Sequence, residues 1–150
     1  MKSRPPGRSS EGAADKTPAD VPSEPPFTVM IVDDVQDIRD LYERYFELEG
    51  VRAITAADGV SALQVVLFQK PDVIVLDLAM PQITGVDVIR SLKGDDRTRA
   101  IPVVVVSGQH DVRASALAAG ADAYIQKPVL PQQLLAQVRR AMRTSAQKRV

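Results

Sequence analysis

Five polar side chains stand where apolar runs end. Asp33 and Asp34 follow Phe27–Val32, Asp77 follows Asp72–Leu76, Ser107 follows Pro102–Val106, and Lys127 follows Ala123–Gln126. Three carboxylates, one hydroxyl and one amine form a restricted chemical set. At a separation of about 4 Å and an effective dielectric of about 20, each like-charged pair costs roughly 4 kcal/mol. Acids gathered in one pocket therefore need a divalent cation, a raised pKa, or both. Oxygen ligands without His or Cys favour a hard cation such as Mg²⁺, which keeps positions for water and phosphate. A Lys and a hydroxyl beside them suit phosphate oxygens. A carboxylate can itself be the nucleophile and carry the phosphoryl group. Asp77 ends the central apolar run and is the best candidate. The chemistry expected is phosphoryl transfer, on condition that the first and third strands are neighbours.

The elements that would position these residues alternate along the chain. Phe27–Val32 is a short β-branched strand. Ile38, Leu41, Tyr42, Tyr45 and Leu48 then recur at helical spacing until Gly50. Val51–Ala56 reads as a second strand, and Asp58 caps a helix through Ala62, Leu63, Val66 and Leu67. The runs ending at Asp77 and Ser107 are apolar on both faces, as strands covered by helices on each side must be. Between them, Val86, Ile89 and Leu92 mark a third helix. Asp111–Ala119 reads as an Ala-rich fourth helix closed by Gly120, and Pro131 opens the last. Five strands alternating with five helices predict a single doubly wound α/β domain with one parallel sheet. In such sheets ligands bind beyond the carboxyl ends of the strands, where all five polar residues fall.

Composition narrows the function classes. The chain has 150 residues, the size of one domain. Its 19 Lys and Arg balance 19 Asp and Glu, which argues against coating nucleic acid or anionic lipid by bulk charge. No Cys is present and His110 is the single His, so disulfides, thiolate sites and multi-histidine metal sites are excluded. No apolar run approaches a membrane span, and the amino terminus lacks the apolar core of a secretory signal, so the expectation is a soluble cytoplasmic protein. Residues 1–26 hold Pro5, Pro6, Pro18, Pro22, Pro25 and Pro26 and almost no large apolar side chain. They are expected to form a disordered leader, followed by one domain over residues 27–145 and a short tail over 146–150. His110 is read as an exposed His without a chemical task. Arg139, Arg140, Arg143, Lys148 and Arg149 end the last helix, where cations favour the dipole, and no direct nucleic-acid contact is expected of them.

In order and spacing, these residues resemble the receiver domain of response regulators in two-component signalling. The match runs from about Phe27 to Arg143. It comprises Asp33-Asp34, the Asp77-Leu-Ala-Met-Pro81 segment with Gly85 following, Ser107-Gly108, and Tyr124-Ile-Gln-Lys127-Pro128. The resemblance implies a flavodoxin-like topology and a set of roles. Asp77 would be the phosphoacceptor. Asp34, Asp77 and the backbone carbonyl of Ala79 would hold Mg²⁺, with Asp33 acting mainly through bound water. Lys127 would contact the acid and then the phosphoryl group. Ser107 would donate to a phosphoryl oxygen, and Tyr124 would reorient with Ser107. Lys127–Pro128 would be a cis peptide. Gly108 stands where Ala is frequent, and Ala79 and Gln109 border the path of attacking water, with no direction for the phosphoryl lifetime assigned.

The implied donor is a phosphohistidine on a histidine kinase or phosphotransfer protein, or a small acyl phosphate. The implied output is a changed surface at the fourth helix, fifth strand and fifth helix. That surface would serve an unidentified downstream protein, with a homodimer on phosphorylation left open. The chain would be a signalling phosphoacceptor, catalysing only its own phosphorylation and dephosphorylation. The alternative is a receiver-like interaction module that works without phosphorylation. A hydrolase of the dehalogenase type would carry a second acid where Ala79 stands. A flavin protein would need a phosphate loop where Asp33-Asp34 would repel phosphate.

Overall fold

The computed structural model describes residues 26–80 and 82–149. The expected leader up to Pro25, Pro81 of the Asp77–Pro81 segment and Val150 lie outside the described residues. Strands and helices alternate as β1 (Thr28–Val32), α1 (Gln36–Leu48), β2 (Arg52–Ala56), α2 (Gly59–Gln69), β3 (Val73–Asp77), α3 (Gly85–Lys93), β4 (Val103–Ser107), α4 (Arg113–Ala119), β5 (Ala123–Gln126) and α5 (Pro131–Arg149). All strand pairs are parallel, and the sheet order is β2-β1-β3-β4-β5. This is the expected doubly wound sheet with five helices.

The two-residue period of the strands sorts the core into two layers. Val29, Ile31, Val73, Val75, Val104 and Val106 pack with Tyr42 and Phe46 of α1 and Leu134, Leu135 and Val138 of α5. The intervening Met30, Val32, Ile74, Leu76, Val103 and Val105 pack with Ala62, Val66, Val88, Ile89, Leu92 and Ala116 from α2, α3 and α4. β3 and β4 are buried at every position, because helices cover both faces. Burying one such Val, Leu or Ile contributes about 1.5–3 kcal/mol. This packing holds the strand ends in place for the polar residues that follow them.

Helix starts follow local chemistry only in part. The Asp58 carboxylate accepts from the Ser61 N–H at 2.7 Å, the cap expected for α2. Thr84 caps α3 by accepting from the Asp87 N–H at 3.1 Å, a contact not foreseen. α4 begins at Arg113 rather than Asp111, and its first turn has no side-chain cap. α5 runs on through Arg149, beyond the boundary expected at residue 145. No Gly or Pro interrupts Ser145-Ala-Gln-Lys-Arg149, so nothing local stops the helix. The Asp95–Arg99 connection carries two acids and two arginines around one Thr. Thr98 within it is buried, and its hydroxyl donates to the Leu92 carbonyl at 2.7 Å. None of the described helices is long and apolar enough to cross a membrane.

Two glycines near the strand ends differ physically. A methyl group on Gly85 would stand 2.5 Å from Leu78 Cδ2 and 2.6 Å from Leu78 Cα. The close approach ties the start of α3 to the residue after Asp77. A methyl on Gly108 would meet nothing within 4 Å, and its φ lies outside the left-handed region. The loop therefore does not require Gly at 108. Gly85→Ala should destabilise the fold by about 1–3 kcal/mol through overpacking, and Gly108→Ala by less than about 0.5 kcal/mol, as measured by urea unfolding.

Candidate functional site

The strand order meets the condition set by the sequence. β1 lies beside β3 with Val32 opposite Leu76, so the next residues, Asp33 and Asp77, emerge side by side. They emerge where the sheet order reverses, between β1 and β3, the crevice that ligands occupy in doubly wound folds. Asp33 and Asp77 are buried and Asp34 is exposed. One oxygen from each of the three carboxylates lies within 4.8 Å of the others.

Each buried acid is held by its own loop. Asp33 Oδ1 accepts from the Val35 N–H at 2.9 Å, while its carbonyl accepts from the Arg39 guanidinium at 2.6 Å. Asp77 Oδ1 accepts from the Ala79 N–H at 3.0 Å. The Lys127 ammonium stands 3.4 Å from Asp77 Oδ2 and 3.6 Å from Asp33 Oδ2. β5 delivers it there: Ser107 pairs with Gln126, and the next N–H, that of Lys127, donates to the Ser107 carbonyl at 2.8 Å. The Lys127–Pro128 peptide is cis.

Burial raises the Asp77 carboxyl above its ordinary value, against the Ala79 hydrogen bond and the Lys127 charge, which pull it down. Burial by itself would lower the Lys127 ammonium, but Asp77 and Asp33 together outweigh it and raise it. One ammonium thus faces two buried carboxylates, and the exposed Asp34 lies near those two acids. Hard oxygen donors from three acids, open to solvent on the Asp34 side, fit a small divalent cation such as Mg²⁺.

Ser107 is fully buried, and its hydroxyl oxygen accepts from the Gln109 N–H at 3.0 Å. No acceptor for the Ser107 proton occurs among the described residues, so the hydroxyl keeps its donor capacity. Tyr124 is half-buried, with its hydroxyl donating to the Gln109 carbonyl. Gln109 therefore joins Ser107 to Tyr124 through its own backbone. The Arg113 guanidinium lies over the Tyr124 ring, 5.7 Å from its centroid.

The structure brings Asp33, Asp34, Asp77, Ser107 and Lys127 to one edge of the sheet and places Tyr124 on the neighbouring strand. Sequence reasoning missed three supporting residues. Arg39 was passed over because nothing in its spacing points to a backbone carbonyl. Tyr42 was counted only as part of the apolar stripe of α1. Its hydroxyl donates to the Val129 carbonyl at 3.2 Å, and burial raises its pKa although Lys127 opposes the rise. Arg113 was absorbed into the fourth helix. His110 is exposed, with its ring beside the Gln126 amide.

A family model described as the response regulator receiver domain matches residues 29–139. The chain belongs to the receiver-domain family of response regulators. This receiver domain is 35% identical over 118 residues to the phosphate regulon transcriptional regulatory protein PhoB of Pseudomonas aeruginosa, covering 77% of this chain and 52% of that protein. It is 39% identical over 117 residues to the transcriptional regulatory protein PrrA of Mycobacterium tuberculosis, covering 77% of this chain and 49% of that protein. The chain therefore spans about half the length of the curated relatives it matches. Its fold is similar to the chemotaxis response regulator CheY4 of Vibrio cholerae, with a TM-score of 0.73 and 27% identity. That alignment covers 78% of this chain and 99% of CheY4.

The raised carboxyl has a measurable consequence. An acid whose pKa rises on folding weakens the fold only where it is ionised. Asp77→Asn should therefore raise the urea midpoint of the receiver in chelator-treated buffer at pH 7. The gain should shrink as pH falls back through the raised folded value and vanish below the ordinary value of 3.8. Lys127 has the opposite sign: its contribution is complete below 10.5 and is lost only as pH climbs through its raised folded value.

Proposed function

We propose that this receiver domain accepts a phosphoryl group on Asp77 from a phosphohistidine of a histidine kinase or phosphotransfer protein. The observation that carries this reading is the buried Asp77 carboxylate, oriented by the Ala79 N–H and neighboured by both Lys127 and two further acids. Asp33, Asp34, Asp77 and the Ala79 carbonyl would hold Mg²⁺. When bound, the ion would supply neutralisation of the acids and of the transferring oxygens.

The protein's own groups do the rest. A carboxylate oxygen of Asp77 attacks phosphorus in line, its O–P bond forms as the donor N–P bond breaks, and the leaving imidazole takes up a proton. The Ala79 N–H limits rotation of the nucleophile. Lys127, already drawn to this corner by two carboxylates, faces the developing charge with an ammonium that stays protonated. Ser107 has a donor to spend on a phosphoryl oxygen, a charge-assisted bond worth about 1.5–3 kcal/mol.

Switching follows from the Gln109 bridge. A shift of the Ser107 hydroxyl toward the phosphoryl group pulls on the Gln109 N–H and so on the carbonyl that receives Tyr124. The output is a change at the surface of α4, β5 and α5 that a downstream protein reads, in the cytoplasm. The coupling expected is about 1–3 kcal/mol, a shift in population rather than a lock.

With Mg²⁺ and acetyl phosphate, the intact mass should rise by one phosphoryl group. Asp77→Asn should abolish the gain, and Lys127→Ala should slow it by about 10²-fold. A phosphoryl group retained by Asp77→Asn overturns the assignment. Uptake that is indifferent to Mg²⁺ overturns the metal role.

A further inference from the structure

Among the described helices, α2 alone carries no charged side chain. Its inner face, formed by Gly59, Ala62 and Val66, is buried. Its outer face is largely apolar as well. Val60 is 45% exposed and Phe68 85%, with exposed Gln64 midway between them. Residues four apart on a helix lie in one row, so these three form a single ridge. Half-buried Leu63 and Leu67 flank it. A helix that is uncharged and apolar on both faces belongs in an interior, and an exposed apolar ridge marks a surface that something covers. Opposite charges stand at its two ends. Asp58 caps the start, and exposed Lys70 closes the helix in a left-handed turn at a φ of 46°. Neither has an ion-pair partner among the described residues.

The order of these residues is symmetrical. Gln64 lies midway between Asp58 and Lys70 and also midway between Val60 and Phe68. A two-fold axis at Gln64 that sets α2 antiparallel to α2 of a second copy has three consequences. Asp58 meets Lys70 of the other copy at both ends, Val60 meets Phe68, and Gln64 meets itself. A Gln amide offers both donor and acceptor and can bond its own copy. A two-fold interface must be self-complementary in this way. Here the ends match in charge and the stretch between them carries none. A segment of another protein would require no such symmetry. At the Lys70 end, a cleft of about 390 Å³ lined by Val66, Leu67, Lys70 and Arg97 leaves room for the start of the second helix. The Arg97 guanidinium is already engaged by Asp95 at 2.8 Å, so Lys70 carries the pairing.

We propose that α2 is a self-pairing surface, along which two copies of the chain join antiparallel about a two-fold axis at Gln64. The inference does not rest on the phosphoryl reading. α2 follows β2 at the pole of the acids, where the Asp33 N–H donates to the Ala56 carbonyl, and it ends at the opposite pole, ahead of β3. Antiparallel pairing therefore points the two acid crevices in opposite directions and leaves both open to a phosphodonor. α2 packs on β2 and β1, while β5 forms the other edge of the sheet, so pairing is expected with or without a phosphoryl group. One helix of 11 residues per copy makes a small interface, and the pair forms reversibly.

The untreated full chain should pass from monomer to dimer between about 10 and 500 µM in sedimentation equilibrium. Lys70→Glu sets two acids against each other at both ends and should weaken the dimer at least about tenfold. Adding Asp58→Asn keeps a capping side chain and removes that repulsion, and should recover at least about threefold of the loss. Both variants should keep the circular dichroism of the parent. Because the chain has no Cys, a single thiol can be introduced. A short bis-maleimide should link Gln64→Cys at the axis to its own copy and should not link Arg140→Cys on α5. Acetyl phosphate with Mg²⁺ should leave the dimer unchanged. Monomers at every concentration leave the ridge to another occupant and overturn the proposal. So does a dimer indifferent to Lys70→Glu, one not recovered by Asp58→Asn, or one linked through Arg140→Cys in place of Gln64→Cys. A dimer that forms only after phosphoryl uptake overturns it too. Absent phosphoryl uptake would count against the phosphoryl reading alone, because pairing is measured on the untreated chain.

Discussion

Two carboxylates, Asp33 and Asp77, are buried side by side, with the single ammonium of Lys127 within 3.6 Å of both. Buried like charges are among the most expensive arrangements a fold can hold, and they persist only where surrounding structure over-determines them. Here the over-determination is the sheet. The apolar runs Val29–Val32 and Val73–Leu76 lock the register of β1 against β3, and the pairing of β4 with β5 delivers Lys127 to the same corner. A slip of one residue in either ladder would turn an acid or the ammonium to the other face. The unusually uniform burial of β3 and β4 is what keeps an electrostatically unfavourable cluster in place.

Around that cluster, firmness is unevenly distributed. On the β1 side, Arg39 and the Val35 N–H hold the Asp33 turn, and on the β3 side the Gly85–Leu78 contact fastens the exit from Asp77. On the β4 side the backbone of Gln109 links the Ser107 hydroxyl to the Tyr124 hydroxyl, through a loop in which a methyl on Gly108 would meet nothing within 4 Å. A charge added at Asp77 would therefore meet rigid walls on two sides and a compliant one on the third. The direction in which the molecule can respond is set by this asymmetry.

Much of this was legible in the sequence because it rests on periods and on strand ends. Alternating apolar runs and helical stripes announced the sheet, and the polar residues closing Phe27–Val32, Asp72–Leu76 and Pro102–Val106 announced the site. What was hidden depends on long-range contacts that carry no local pattern. Arg39 reaches a main-chain oxygen, Tyr42 has a polar tip on an otherwise apolar stripe, and Thr98 is a polar residue buried within a charged connection. Element ends were hidden for the opposite reason, since α4 begins without a side-chain cap and α5 continues for want of a breaker. The resemblance supplied the chemical roles, but no sequence pattern tells that Gly85 is demanded by the close approach of Leu78 while a methyl on Gly108 would meet nothing within 4 Å.

The parallel sheet also has a rear. β1 starts at the edge remote from the acids, where Pro26 and Phe27 line one cleft with Met142 and Ala146 of α5. Further along that helix, the Ser145 hydroxyl donates at 3.4 Å to the Ala100 carbonyl, just ahead of β4. Entry to and departure from the described polypeptide thus share one pole, and the crevice with the three acids lies at the other. The two ends of the described polypeptide are therefore anchored at the pole of the sheet opposite Asp33, Asp34 and Asp77.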